Sequence, residues 1–341
     1  MGGLLTVAVV VAVFAFAVPQ FADYRNVASE LAGLSWLELA LIGLATAFNI
    51  VTFWWVNMAA LPGLRLWPAA AVTQSSYAVA NTVPAGGPLS VGLSYQILRS
   101  FGFRTDDLVL MAGVGGIWNV LGKFVVPVLA VLLLLVTGER ITGMVAATVT
   151  AFGALAVVAL VLFLALWRES LARRLGNAIG AVASWVLHWF HHGAVTTAGD
   201  EAVSFRSRTI GVIRTRWVPL TAAATLNQIS FFAVLLIALR GVGVSSHQLP
   251  VAAALAAFAF GRLASAIPIT PGAIGTAEIA YIGLLVAAGG PHAKVVAAVL
   301  LFRAFTFLAP IPVGAVTYVA WRRWVHRHGA AVGERAGRLP A

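Results

Sequence analysis

The sequence predicts an all-α polytopic membrane bundle, and three observations carry that reading. Hydrophobic residues make up 61% of the chain and charged ones only 10%, with a mean hydropathy of +0.95. A soluble domain carries roughly 25% charged residues. Apolar runs recur along all 341 residues, several of them long enough to cross a bilayer. Two further runs are broken by Pro and Gly at mid-length. This composition excludes a soluble enzyme, a disordered chain and a nucleic-acid-binding domain. A net charge of +11 then reads as an orientation signal rather than a polyanion-binding face. No cysteine is present, so disulfides, thiolate metal sites and Cys nucleophiles are ruled out. The wealth of Ala, Val and Arg points to a GC-rich bacterial genome.

A helix needs roughly 20 apolar residues to cross a hydrocarbon core. Leu4–Ala22 meets that length. No Lys or Arg precedes it, which favours a first span over a signal peptide. The other full spans expected are Trp36–Ala60, Asp107–Thr137, Thr142–Trp167, Trp217–Arg240 and Lys294–Trp321, which makes six. The interrupted stretches are Ala69–Phe101, broken at Pro84–Pro88, and Leu249–Gly289, broken between Pro268 and Gly275. Each half holds roughly 14 to 19 residues, short for a crossing. Each stretch is either two tight spans or a re-entrant helical hairpin, and the hairpin is the favoured form. Unpaired backbone at membrane depth is tolerated only where protein or water covers it.

Both forms contain an even number of crossings, so orientation follows. Arg168–Arg216 holds seven Arg against three acids, and the segment after Trp321 holds five against one. Both read as cytoplasmic, and counting back places the N-terminus there too. The two broken hairpins then enter from opposite sides, the inverted plan common among secondary transporters. The expected organisation is one transmembrane domain over residues 1–325, with 168–216 a basic cytoplasmic loop and 326–341 a short basic tail. Within the loop, Leu171–His192 has apolar residues at near-helical spacing. It either lies on the inner leaflet or docks on the protein as a linker helix. His188 and His192 stand four apart, but without an acid or Cys nearby they read as an interfacial cluster rather than a metal site.

Ionisable residues inside a span are costly and mark functional candidates. Lys123 lies mid-helix on a face shared with Asn119 and small residues, Arg262 in the first arm of the second hairpin, Glu278 at the start of its second arm, and Arg303 in the last span. Glu278 has two structural readings beside a functional one: an acid favoured by its own helix N-terminus, or a buried ion pair with Arg262 or Arg303. The breaks also offer backbone N–H groups to an anion. Pro84, Gly86 and Gly87 in the first break, and Pro271, Gly272 and Gly275 in the second, let backbone approach a ligand closely. The alternative is that these residues only permit tight helix crossing. Asn81, Tyr95, Gln74, Tyr77 and their polar neighbours line a cavity or pack on protein. Three cations and one acid leave the interior net positive by two, which suits a phosphate headgroup or a small anion.

The segment Ile267–Glu278, with its Pro-Gly-x-x-Gly-x-x-Glu pattern, and the break from Val83 to Gly92 followed by Arg99–Gly102 carry a resemblance. The sequence resembles the flippase-like family of bacterial membrane proteins that includes the membrane region of lysylphosphatidylglycerol synthase. The resemblance implies a multi-pass plasma-membrane protein that moves a phospholipid or polyprenyl-linked lipid between leaflets. Many relatives have an acid soon after the first break, where this chain has Leu89-Ser90-Val91-Gly92. The sequence stops about twenty residues after the last expected span. The expectation is therefore no aminoacylation, no metal and no cofactor, with membrane lipids as partners. Partners in envelope biosynthesis and self-association stay open. An ion-coupled transporter of a soluble anion and a non-transporting accessory subunit are the rival functions.

Overall fold

The computed structural model describes residues 29–83, 86–137, 153, 157, 160, 168–188, 198–264 and 275–337. Every regular element among them is helical. In chain order these are α1 (Trp36–Ala60), α2 (Leu66–Thr82), α3 (Gly86–Ser100), α4 (Thr105–Thr137), α5 (Glu169–His188), α6 (Ala198–Gly241), α7 (Val251–Ala264), α8 (Thr276–Ala287), α9 (His292–Arg303) and α10 (Pro310–Gly337). A π-helical turn, Ala304–Leu308, joins α9 to α10. Four helical stretches are long and apolar enough to cross a membrane: Trp36–Ala60, Thr105–Leu134, Ala202–Gly241 and His292–His328. The expected span Leu4–Ala22 lies outside the described residues, as does Thr142–Trp167 apart from positions 153, 157 and 160.

Local chemistry explains the boundaries. The Ser35 hydroxyl accepts from the Glu38 N–H, and the Glu38 carboxylate accepts from the Ser35 N–H at 2.8 Å, a reciprocal cap that starts α1. Val83 precedes Pro84, which forces extended backbone and ends α2. At the start of α8, Gly275 holds φ at +85°, a left-handed value that a Cβ would oppose. At 1.5 Å per residue, α2, α3, α7 and α8 are about 25, 22, 21 and 18 Å long. All fall short of a hydrocarbon core about 30 Å thick.

Two boundaries differ from the sequence expectation. The helix expected to begin at Trp217 begins at Ala198, because Arg206, Arg208 and Arg214 lower hydropathy without interrupting the helix. Its first turns are tied down: Arg208 pairs with Asp106 at 3.4 Å and with Asp107 at the start of α4. The segment expected as Leu171–His192 is described as far as His188; it forms α5 there and docks on the same extension, where Arg173 pairs with Asp200 and Gly199 lies against Asn177. The last span, expected as continuous, contains the π-helical turn. Pro310 lacks an N–H, and the Ala309 N–H bonds the Ala304 carbonyl five residues back at 2.9 Å. The helix then runs on to Gly337, through most of the expected tail.

The arms of each broken stretch pack on one another, α2 on α3 and α7 on α8. Around them, α1 lies along α6, α2 along α10, and α7 against α4. One apolar core, centred on Leu235, Leu239, Phe258, Leu285 and Phe302, joins α6, α7, α8 and α9. A second, around Val72, Leu98, Val114 and Leu220, joins α2, α3, α4 and α6. Between α1 and α6 sits a buried polar clamp. Asn49 donates to Ser230 Oγ at 2.9 Å and Asn227 donates to Thr52 Oγ1 at 3.0 Å. Such bonds hold helices together in a medium where the hydrophobic effect between them is weak.

Gly314 on α10 has no room for a side chain. A Cβ there would lie 2.2 Å from the Gln74 carbonyl oxygen and 2.6 Å from Ala78 Cβ. Gly314→Ala is therefore expected to cost about 1–3 kcal/mol by overpacking the α2–α10 contact. Gly116→Ala, where nothing lies within 4 Å, should cost nothing and raise stability by up to about 1 kcal/mol through helix propensity. Thermal unfolding of both variants in detergent checks the contrast.

Candidate functional site

The α2, α4, α7 and α9 helices bring seven of the residues singled out in the sequence to one cavity of about 270 Å³, among them Gln74 and Tyr77 of α2. Asn81 comes from α2, Asn119 and Lys123 from α4, Arg262 from α7 and Arg303 from the end of α9. Arms of both broken stretches thus line the same space. Asn119 and Lys123 share it because i and i+4 stack on one helical face. The ionisable groups on its described walls are Lys123, Arg262, Arg303, Tyr77 and Tyr281, with no Asp, Glu or His among them.

Each arginine is positioned. The Arg303 Nε donates to Glu278 Oε1 at 2.6 Å, with both side chains about 14% exposed or less. Glu278 Oε2 accepts from the Gly275 N–H at 2.7 Å. Both structural readings of Glu278 therefore hold together: it caps its own helix and neutralises Arg303. The Arg303 guanidinium also lies 4.7 Å from the Phe307 ring centre, and that of Arg262 lies 4.4 Å from Phe231. Both distances suit a cation–π contact. The Tyr77 hydroxyl donates to the Phe307 carbonyl at 3.2 Å, joining α2 to the π-helical turn. The Asn81 amide donates to the Tyr77 carbonyl one turn back.

Other predicted residues stand apart from these walls. Gly86 packs against the α2 backbone, where a Cβ would meet the Val79 and Ala80 carbonyl oxygens at 2.4 and 2.6 Å. It serves close helix crossing. Gly87 has no heavy atom within 4 Å of a built Cβ. The Tyr95 hydroxyl accepts from Arg99 at 2.7 Å. None of the three lines the cavity. Pro84, Pro271 and Gly272 lie outside the described residues. So does His192.

Several lining residues had no distinct sequence signal. Asn49, Phe231, Tyr281 and Thr306 sit in apolar runs like any core residue. A second concavity, about 420 Å³ and almost wholly apolar, lies between α4 and α6, with Leu255 of α7 on its wall. Trp118, Gly122 and Val125 face this groove, while Asn119 and Lys123 on the same helix face the polar cavity. The cavity's cationic side chains are hydrogen-bond donors, an arrangement that suits an anion rich in acceptors. Among the described residues, no group of three His, Cys, Asp or Glu could hold a metal.

Breaking one side of a buried ion pair costs about 3–5 kcal/mol, because the remaining charge is left uncompensated. Glu278→Gln is expected to lower the unfolding midpoint in detergent strongly. The double variant Glu278→Gln with Arg303→Gln should recover part of that loss, and thermal unfolding of all three proteins decides it.

No curated protein matches the chain. A family model described as the Lysylphosphatidylglycerol synthase TM region matches residues 3–314, nearly the whole chain. The chain therefore belongs to the family of the lysylphosphatidylglycerol synthase membrane region.

Proposed function

We propose that this protein is a lipid translocase of a bacterial plasma membrane, with both termini cytoplasmic, and that it moves an anionic phospholipid or polyprenyl-linked headgroup between leaflets. The observation that carries the reading is the convergence of Lys123, Arg262 and Arg303 on one cavity lined by arms of both broken stretches. Membership of a flippase-like family supports it. Cations buried at membrane depth are costly and are retained where they meet a substrate or a partner. In this reading Lys123, Arg262 and Arg303 hold the phosphate, with Asn81 and Asn119 beside it. Glu278 either balances Arg303 throughout or carries a coupling proton. The short arms α2, α3, α7 and α8 enter the membrane as two inverted re-entrant hairpins.

The apolar groove separates this reading from its rivals. A carrier of a soluble anion has no use for a hydrocarbon-lined groove on the adjoining face of the helix that presents Lys123. An accessory subunit predicts charges that pair off without a cavity, and Lys123 and Arg262 line one. The lipid's headgroup would cross the polar interior while its tails stay among apolar helices.

Reconstitution into liposomes with headgroup-labelled lipids tests the proposal. Wild type is expected to move a labelled anionic lipid between leaflets. Arg303→Ala should slow it roughly tenfold or more, since a hydrogen bond to a charged group contributes about 1.5–3 kcal/mol. If no labelled lipid moves for any headgroup, translocation is the wrong function. Uptake of radiolabelled phosphate in its place would identify the soluble-anion carrier.

A further inference from the structure

Most neutral polar side chains on the cavity walls bond to the protein itself. The Asn49 amide donates to Ser230 Oγ and the Tyr77 hydroxyl to the Phe307 carbonyl. The Asn81 amide donates to the Tyr77 carbonyl and the Thr306 hydroxyl to the Phe302 carbonyl. Gln74 differs. It lines the same cavity, is 3% exposed, and its Nε2 has no hydrogen-bond partner among the described residues. The described walls hold no Asp, Glu or His that could supply an acceptor. A buried donor left unpaired carries its full desolvation cost, and folded proteins keep few such groups. The local fold holds this one in place. Gln74, Tyr77 and Asn81 stand at i, i+3 and i+7 of α2, which puts them on one face, and all three line the cavity. The turn that carries Gln74 has no room to shift, because Gly314 of α10 lies against its carbonyl oxygen.

We propose that Gln74 is a binding residue of this cavity, its Nε2 donating to an oxygen of the phosphate group that Lys123 attracts. The inference deepens the reading of the cavity as an anion site and rests on it. An ammonium on a flexible stem acts as a point charge and sets little geometry. An amide N–H bonds well only within a narrow range of angle. Lys123 therefore supplies attraction, while Gln74 fixes how the phosphate is turned. The amide adds this direction without adding charge. Its donor is satisfied when the phosphate is bound and unsatisfied when the cavity is empty. Gln74 thus lowers the stability of the empty protein and raises affinity for the phosphate, a combination that a packing residue does not produce.

Two readouts on the full chain in detergent test this: affinity for dihexanoyl phosphatidylglycerol or inorganic phosphate, and the unfolding midpoint without either. Gln74→Met keeps the length of the side chain and removes the amide. It is expected to bind dihexanoyl phosphatidylglycerol about tenfold more weakly, the effect of losing one hydrogen bond to a charged group. Its unfolding midpoint without the lipid should equal or exceed that of wild type. Gln74→Glu, which places an acceptor and a negative charge where the donor was, should weaken binding further. If affinity for inorganic phosphate falls by the same factor, the contact is to phosphate from either source. If only the lipid binds wild type, and Gln74→Met weakens it, the contact is to the lipid headgroup. Both results support the assignment. Binding by Gln74→Met within twofold of wild type overturns it, as does a lowered midpoint with affinity retained. Wild type binding neither probe overturns it too. Should Gln74→Met fail to fold, Gln74→Leu decides by the same criteria. This assignment and lipid translocation fail separately. Gln74→Met that binds and moves labelled phosphatidylglycerol like wild type removes Gln74 from the site and leaves translocation standing. Binding that depends on Gln74, in a wild-type protein that moves no labelled lipid, does the reverse.

Discussion

The ion pair between Glu278 and Arg303 is the constraint on which the rest of the site depends. A lone arginine at the depth of α9 faces a penalty that few local interactions offset. Glu278 removes it, and its position is what lets it do so. It stands in the first turn of α8, three residues beyond a glycine with φ near +85°. One oxygen reaches back to the Gly275 N–H and the other reaches Arg303. The carboxylate therefore fixes where α8 starts and where α9 ends in one contact. It also engages both oxygens of the acid nearest the cavity, while the Arg262 guanidinium lies over the Phe231 ring and Lys123 lines the cavity.

The interruptions serve the same arrangement. Pro310 cannot donate, and the helix before it widens into a π-helical turn at Ala304–Leu308. That turn carries Thr306 and Phe307 to the cavity wall. The Phe307 carbonyl takes the Tyr77 hydroxyl from α2, and the Phe307 ring lies against Arg303. Thus one arm of the first broken stretch is stitched to the segment that follows the second. The glycine at 314 allows α10 to come within backbone contact of α2 just beyond that stitch. Helix ends that soluble proteins leave to water here meet side chains from other helices, as the membrane's lack of solvent requires.

Much of this was readable in the sequence, and the unread part has physical causes. Trp36–Ala60 was bounded correctly because hydropathy and the Ser35 cap change at the same residue. Lys123, Arg262, Glu278 and Arg303 stood out because ionisable side chains in apolar runs are rare for energetic reasons. The α6 helix extends nineteen residues ahead of the span expected from Trp217, since hydropathy registers the arginines while helical hydrogen bonding ignores them. Gly86 was a candidate anion contact, yet it is used for close crossing of α2 and α3. A glycine needed by a ligand and one needed by a neighbouring backbone look identical in sequence. Tyr281, Phe231 and Asn49 were missed for a related reason: a cavity wall and a packed core draw on the same side chains.

The α4 helix sits where the two kinds of surface meet. Along one stripe it presents Asn119 and Lys123 to the polar cavity. Along the adjoining stripe it presents Trp118, Gly122 and Val125 to the apolar groove. Successive residues on a helix point about 100° apart, so a single helix can carry both stripes without irregular backbone. Its small residues keep the wall thin. The Gly122 position lets the Gln228 side chain of α6 approach to 3.1 Å of where a Cβ would sit. A lipid has the same division, a charged head joined to hydrocarbon. A wall that separates cationic from apolar space by one helix is the arrangement such a molecule needs, whereas a soluble anion has no second half to place. In the proposed reading, the polarity of α4, more than the number of spans around it, is what would tie the cavity to lipid.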